Sequence, residues 1–182
     1  MKATGIVRRI DDLGRVVVPK EIRRTLRIRE GDPLEIFTDR EGEIILKKYS
    51  PIGELSQFAS EYAESLAQTT GFLTCITDRD HVVAAAGSGK KELEGKEISR
   101  QLEEMIESRG SHVAEHTDRR FLKITADDEG KYFSQAVSTI VCEGDAIGAV
   151  ILCGRDEKQR PGETEQKLVQ TAAGFLGRQM EQ

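Results

Sequence analysis

Charge is distributed unevenly along this chain, which divides into a basic N-terminal segment and an acidic remainder. The first 29 residues carry nine Lys/Arg and three Asp/Glu, a formal charge of +6, whereas all 182 residues sum to −5 at pH 7. The other 153 residues therefore carry −11. A basic segment on an acidic chain predicts two regions. The first is expected to contact an anionic partner, with duplex DNA as the leading candidate.

Composition narrows the classes of protein to consider. A chain of 182 residues can form one domain or two small ones. It has no Trp and only 5% aromatic residues, which argues against a single-strand binder built on aromatic stacking platforms. An apolar run of signal-peptide or membrane-helix length is missing from the sequence, so we expect a soluble, cytoplasmic protein.

The three cysteines, Cys75, Cys142 and Cys153, lie in apolar, strand-like runs without Cys-x-x-Cys spacing. This pattern favours buried, reduced thiols. Redox sensing and metal binding are the alternatives.

The first 50 residues follow a β-β-α-β-β pattern. Strands are predicted at 5–11, 15–18, 34–38 and 43–47, with turns at 11–14 and 39–42 and a helix from Pro19 to about Arg27. Fifty residues with short strands bury little apolar surface and leave strand edges unpaired. A dimer with interleaved strands would bury more apolar surface and pair the strand edges.

The predicted helix has one apolar and one cationic face. Ile22 and Leu26 lie within about 40° of each other on a helical wheel. Lys20, Arg23, Arg24 and Arg27 fall in a separate arc about 100° wide. One face can therefore be buried while the other contacts an anion. The alternative is an ordinary solvated basic face.

After residue 50 the net charge of the chain changes sign. Residues 1–50 sum to +3 and residues 51–182 to −8. We predict a DNA-binding domain at 1–50, a linker at 51–53 and a second domain at 54–182. Helices are predicted at 55–66, 98–108 and from 161, and strands at 72–77, 82–86, 121–124, 132–141 and 146–153. This order predicts an α+β domain, an antiparallel sheet with packed helices.

The outer helices of that domain are expected to pack together. Small residues on the last helix permit close approach of two helices: Ala172, Ala173, Gly174 and Gly177.

The first 48 residues resemble the AbrB-type swapped-hairpin DNA-binding domain of bacterial transition-state regulators and some antitoxins. Residues 4–8, 12–19, 21–26 and the hairpin 34–36 with 44–48 carry the resemblance. It implies a mostly-β, dimeric swapped-hairpin barrel. The family's DNA contacts are carried mainly by arginines that match Arg8, Arg15, Arg23 and Arg24. With neighbouring cations, the predicted DNA-binding residues are Arg8, Arg9, Arg15, Lys20, Arg23, Arg24 and Arg27.

The whole chain resembles the stage V sporulation regulators of spore-forming bacilli. That resemblance implies a GAF-like second domain, a dimer of dimers, and location in the forespore. It also implies control of sporulation genes as both activator and repressor. The second domain then serves as a sensor or as a tetramerisation module. We expect no cofactor. An unidentified small-molecule ligand remains an alternative, and the sequence does not assign residues to its pocket.

Guanidinium groups suit a DNA interface because they stay charged and bind phosphate or guanine edges bidentately. The basic arc contains no Asn or Gln, so we predict recognition that relies on backbone contacts and DNA deformability. The alternative for Arg8 or Arg15 is a simple ion pair with Asp11 or Asp12 across the turn.

Two motifs suggest other functions but lack the required context. His112 and His116 match a zinc-protease signature that needs a helix, and in a strand they lie about 13 Å apart. The segment 87–90 (Gly-Ser-Gly-Lys) has Ala84 and Lys91 where a phosphate loop requires Gly and Ser/Thr. We therefore expect neither a metal site nor an enzyme. The rival function is an antitoxin-like interaction module that autoregulates by binding DNA.

Overall fold

The computed structural model describes residues 5–54 and 56–181. The chain forms two compact units, with the boundary between Tyr49 and Ser50.

The N-terminal unit contains one short helix and one hairpin. Helix α1 covers Lys20–Thr25, and strands β1 (Leu34–Thr38) and β2 (Ile44–Lys48) pair antiparallel. Asp39 shapes the turn between the strands, because its Oδ1 accepts the N–H groups of Glu41 at 3.0 Å and Glu43 at 2.8 Å. The predicted hairpin is confirmed, with its second strand one residue later.

The segments 5–11 and 15–18 differ from their prediction as strands. Within the described residues 5–18 the structure has a turn but no strand. The Asp11 N–H donates to the Arg15 carbonyl and the Gly14 N–H to the Asp11 carbonyl, both at 3.0 Å. In a swapped hairpin such strands pair with a second copy, so a single chain offers them no ladder.

Helix α1 ends earlier than predicted. Arg27 has φ +52°, in the left-handed region, and lies outside the helix. The Ile28 N–H donates to the Arg23 carbonyl at 2.7 Å and the Arg27 N–H to the Arg24 carbonyl at 3.3 Å, which is the Schellman pattern of helix termination. The extension to Arg27 is therefore wrong, and on the helix the basic arc consists of Lys20, Arg23 and Arg24.

The second unit is a five-stranded antiparallel sheet of order β4-β3-β7-β6-β5. Its strands are β3 (Leu73–Thr77), β4 (Val82–Ala86), β5 (Ser111–Glu115), β6 (Ser134–Cys142) and β7 (Asp145–Gly154). The helices are α2 (Pro51–Glu54), α3 (Ser56–Thr70), α4 (Arg100–Glu107) and α5 (Glu163–Gln179), with a short 3-10 helix at Lys90–Glu92. The predicted α+β architecture is confirmed.

Two hydrophobic cores fill the second unit, because side chains of a strand point alternately to opposite sheet faces. In one core, α3 and α5 pack against the sheet face that carries Ile76 and Val150. In the other core, α4 packs against the opposite face, which carries Cys75 and Ile151. A helical layer therefore covers the sheet on each side.

The predicted strand at 121–124 is wrong, and the edge strand β5 takes its place beside β6. Ser111 pairs with Ser138 and Glu115 with Ser134. Residues 121–124 instead cover the second core. The fully buried Gln135 amide, in the orientation that satisfies both groups, donates to the Leu122 carbonyl at 3.0 Å and accepts its N–H at 2.7 Å. At Leu122 a side chain therefore takes the place of a neighbouring strand.

The segment expected to be a linker packs against the second unit. Ile52 in α2 is fully buried, and the Ser50 hydroxyl donates to Asp78 Oδ2 at 2.9 Å. These contacts anchor the segment, which forms the short helix α2. Leu55, the predicted start of the first long helix, lies outside the described residues.

The expected packing of the outer helices is confirmed by ring contacts. The Phe175 ring lies 5.9 Å from Phe58 and 5.7 Å from Tyr62, centroid to centroid. One small residue of α5, Gly177, acts differently from the prediction. A Cβ on Gly177 would lie 2.1 Å from the Val141 carbonyl oxygen, so its close approach is to strand β6 and not to α3.

The three cysteines are free and buried, as predicted. Burial raises the pKa of the Cys142 thiol above its ordinary value. Of the helices in the described ranges, none combines the length and hydropathy needed to cross a membrane.

Candidate nucleic-acid interface

The residues predicted to contact DNA lie mainly on the surface of the N-terminal unit. Arg23 is half-buried, and the others are exposed: Arg8, Arg9, Arg15, Lys20, Arg24 and Arg27. Arg8 and Arg9 precede the 11–14 turn and Arg15 follows it. A partly exposed guanidinium keeps its charge and its donor groups available to a large anion.

Helix α1 places three of these cations together. Lys20, Arg23 and Arg24 are spaced i, i+3 and i+4, so they share one face. Like charges at this spacing repel each other, by a few tenths of a kcal/mol per pair on an isolated helix. A polyanion bound to this face would remove that repulsion.

Arg27 lies in the turn that ends the helix. Its carbonyl oxygen accepts a hydrogen bond from Lys48 Nζ at 3.0 Å, which ties the turn to strand β2. The Arg27 side chain therefore projects from this turn and not from the helix that carries the other cations. Its separation from the helical arc could not be seen in the wheel, since the left-handed conformation of a non-Gly residue carries no clear sequence signal.

Arg15 is held by Asp11. Its Nε donates to Asp11 Oδ2 at 2.8 Å, and the Arg15 side chain is still 68% exposed. The ion pair named as the alternative for Arg15 is thus present, but it engages only one of the guanidinium nitrogens. The described contacts do not include such a pair for Arg8.

The Asp11 carboxylate also organises the turn. Its Oδ1 accepts the N–H groups of Leu13 at 3.0 Å and Arg15 at 2.7 Å. These hydrogen bonds, led by the Arg15 N–H, lower the pKa of Asp11 below its ordinary value. Because the pKa of Asp11 is depressed, the stabilisation that its carboxylate gives the turn is fully present above the ordinary pKa. That stabilisation is lost as pH falls through the lowered pKa. Asp11 was predicted only as a turn residue and a counter-ion.

Apolar side chains are also exposed on the N-terminal unit. Val7 is 87% exposed and Val17 71%. The set continues with Ile6, Ile10, Leu13, Val16, Leu26, Ile36, Phe37, Ile44, Leu46 and Tyr49, whereas Phe175 is the one such large residue in the described part of the second unit. A surface of this kind is typical of an interface that a second chain covers.

Polar clefts lie on the described part of the second unit. One of about 250 Å³ is lined by residues that include Lys91, Lys96, Lys131 and Tyr132. Another, of about 110 Å³, includes Glu115, His116 and Arg160. Lys96 and Lys131 are already paired, with Asp127 and Glu92 respectively. The segment 87–90 lies beside this network, since Arg155 Nη1 donates to the Ser88 carbonyl at 3.1 Å.

The two histidines of the zinc-protease signature lie on or next to a strand. His112 is in β5 and His116 follows it. Burial lowers the pKa of His112 below its ordinary value. In the described ranges, His, Cys, Asp and Glu residues form no cluster of three or more suited to a metal ion.

Comparison of sequences identifies relatives of both units. Residues 54–181 match the family described as stage V sporulation protein T C-terminal, transcription factor. Residues 7–54 match the family described as antidote-toxin recognition MazE, bacterial antitoxin. Stage V sporulation protein T of Bacillus subtilis (strain 168) is 56% identical over 182 residues, 100% of both chains. The transition state regulatory protein AbrB of that organism is 67% identical over 51 residues, 28% of this chain and 52% of AbrB. The AbrB-type resemblance is confirmed.

Solved structures share the fold of the second unit. The GAF domain of Thermosynechococcus elongatus PixJ has a TM-score of 0.56 at 16% identity, covering 74% of this chain and 89% of its own. The second GAF domain of DevS from Mycobacterium smegmatis has a TM-score of 0.55 at 12% identity, covering 69% and 92%. At such identities the likeness shows the fold alone, and it confirms the GAF-like prediction.

Proposed function

This chain belongs to the stage V sporulation protein T family of transcription factors, and from that premise we propose that it regulates sporulation genes by binding duplex DNA through its N-terminal unit. The observation that carries the proposal is the display of cations on that unit: six exposed ones and the half-buried Arg23. The regulator acts as activator at some promoters and repressor at others. It works in the cytoplasm, in the forespore by resemblance.

A dimer of the N-terminal unit forms the binding surface. The exposed apolar residues of this unit support the dimer, since a second copy would remove them from water. Dimerisation also doubles the number of arginines. Four matching arginines in each chain become eight on one assembly, enough to contact phosphates on both sides of a groove.

The second unit assembles these dimers into a tetramer. Support comes from the aromatic cluster of Phe58, Tyr62 and Phe175 on α3 and α5, in which Phe175 is 40% exposed. A sensor role for the same unit is the alternative, with an unidentified ligand in one of its clefts. In this role the chain needs no cofactor and no catalytic activity.

An antitoxin-like interaction module is the second candidate. The match of residues 7–54 to an antitoxin family is the observation that favours it. Against it, the chain continues into a folded second unit that aligns over its length with a sporulation protein. A stoichiometric protein partner in a pull-down from the host would favour this rival.

The dependence of affinity on salt tests the proposed function. If about six to eight phosphates are neutralised, the logarithm of the association constant should fall against the logarithm of salt concentration with a slope of about −5 to −7. Fluorescence anisotropy with a labelled duplex measures this slope. An association constant that does not change with salt would contradict binding through the cationic surface.

A further inference from the structure

The Asp11 carboxylate accepts three hydrogen bonds in the turn that carries Arg15, and we propose that Asp11 is a positioning residue for DNA recognition. Two backbone N–H groups and the Arg15 Nε converge on one carboxylate. The inference rests on the proposed function, because it assigns Asp11 the task of presenting a DNA-contacting arginine.

The two carboxylate oxygens of Asp11 accept hydrogen bonds from different kinds of donor. Oδ1 accepts the N–H groups of Leu13 and Arg15, which holds the backbone of the turn. Oδ2 accepts Arg15 Nε at 2.8 Å and fixes the guanidinium plane. The Nη1 and Nη2 edge takes no part in these bonds. That edge is a planar fork suited to two phosphate oxygens or to O6 and N7 of guanine.

Pre-positioning matters because Arg is a flexible side chain. Immobilising a rotamer-rich side chain at an interface weakens binding by about 2- to 12-fold. Because Asp11 already restricts the Arg15 side chain in the free protein, part of this loss of freedom occurs before DNA binds. In a dimer the effect applies to two copies of Arg15, so the full loss is about 4- to 140-fold, and a contribution of about tenfold from Asp11 lies within that range.

A carboxylate close to DNA also has an opposing effect. Its negative charge repels phosphates and partly neutralises Arg15, so a mere counter-ion at this position would weaken binding. The positioning role and the counter-ion role therefore predict opposite signs for the same substitution. Asp12, the next residue, provides a matched control, since removing its charge changes the net charge of the turn equally.

The test compares Asp11→Asn with Asp12→Asn in the full chain. The Asn oxygen can still accept both backbone N–H groups, but its NH₂ group would face the Nε–H donor of Arg15. Asp11→Asn thus keeps the turn and releases the guanidinium. The probe is a duplex that the wild-type chain selects from a randomised pool, and thermal unfolding checks that each variant folds.

We expect Asp11→Asn to weaken binding about tenfold and Asp12→Asn to strengthen it slightly. In an Arg15→Ala background, Asp11→Asn should instead strengthen binding as Asp12→Asn does, because there is no guanidinium left to position. Strengthening by Asp11→Asn in the wild-type background would overturn the inference, as would equal weakening with and without Arg15. If the wild-type chain does not bind duplex at all, the proposed function fails, which is a distinct result.

Discussion

Replacing Arg23 and Arg24 together with Ala is expected to reduce duplex affinity by at least about 100-fold, because a dimer then loses four charged donors. Both residues lie on the cationic face of α1, and Arg23 is the less exposed of the two. The salt slope should become shallower by about 3 to 4, in proportion to the phosphate contacts removed. Anisotropy titrations at several salt concentrations measure both quantities.

Two further variants give this experiment its controls. Arg119→Ala with Lys158→Ala removes the same charge from exposed positions of the second unit and should leave affinity nearly unchanged. Arg23→Lys with Arg24→Lys keeps the charge but removes the planar fork, and an intermediate loss is expected. An Ala pair that binds as tightly as the wild type, with the dimer intact, would contradict the DNA-binding assignment of α1.

Gly177→Ala and Gly174→Ala should change stability in opposite directions. A Cβ on Gly177 would lie 2.1 Å from the Val141 carbonyl oxygen, while one on Gly174 would meet nothing within 4 Å. Overpacking against backbone costs about 1–3 kcal/mol, whereas Ala in place of Gly within a helix contributes about 0.5–1 kcal/mol. Gly177→Ala is therefore expected to destabilise the second unit and Gly174→Ala to stabilise it.

Urea unfolding followed by circular dichroism measures the two free energies of unfolding. The two variants share one helix and one substitution, so their difference isolates the contact between α5 and β6. Equal stabilisation by both would show that α5 does not approach the Val141 carbonyl as closely as described. DNA affinity of the folded Gly174→Ala variant should be unchanged.

Local chemistry made much of the fold predictable. The hairpin of β1 and β2 follows from two apolar runs and a turn that contains Asp39 and Gly42. Buried cysteines followed from their apolar surroundings. In the candidate site, the positions of the helical cations could be predicted because i, i+3 and i+4 spacing alone decides which residues share a helix face.

The remaining features depend on contacts that the sequence does not encode locally. Residues 121–124 have the composition of a strand, yet the amide of the distant Gln135 occupies both backbone groups of Leu122. Arg27 leaves the helix through a left-handed conformation that a non-Gly residue seldom adopts. The segments 5–11 and 15–18 have strand patterns that need a second copy for their pairing.

Native mass spectrometry of the full chain can show whether paired N-terminal units bind duplex DNA together. The duplex is about 30 base pairs, long enough for a site of about three helical turns. We predict ions that contain one duplex and an even number of chains, four when the second units assemble the dimers, and no such ions from the Arg23→Ala, Arg24→Ala variant. A complex of one chain with one duplex, or protein oligomers without DNA, would contradict the account.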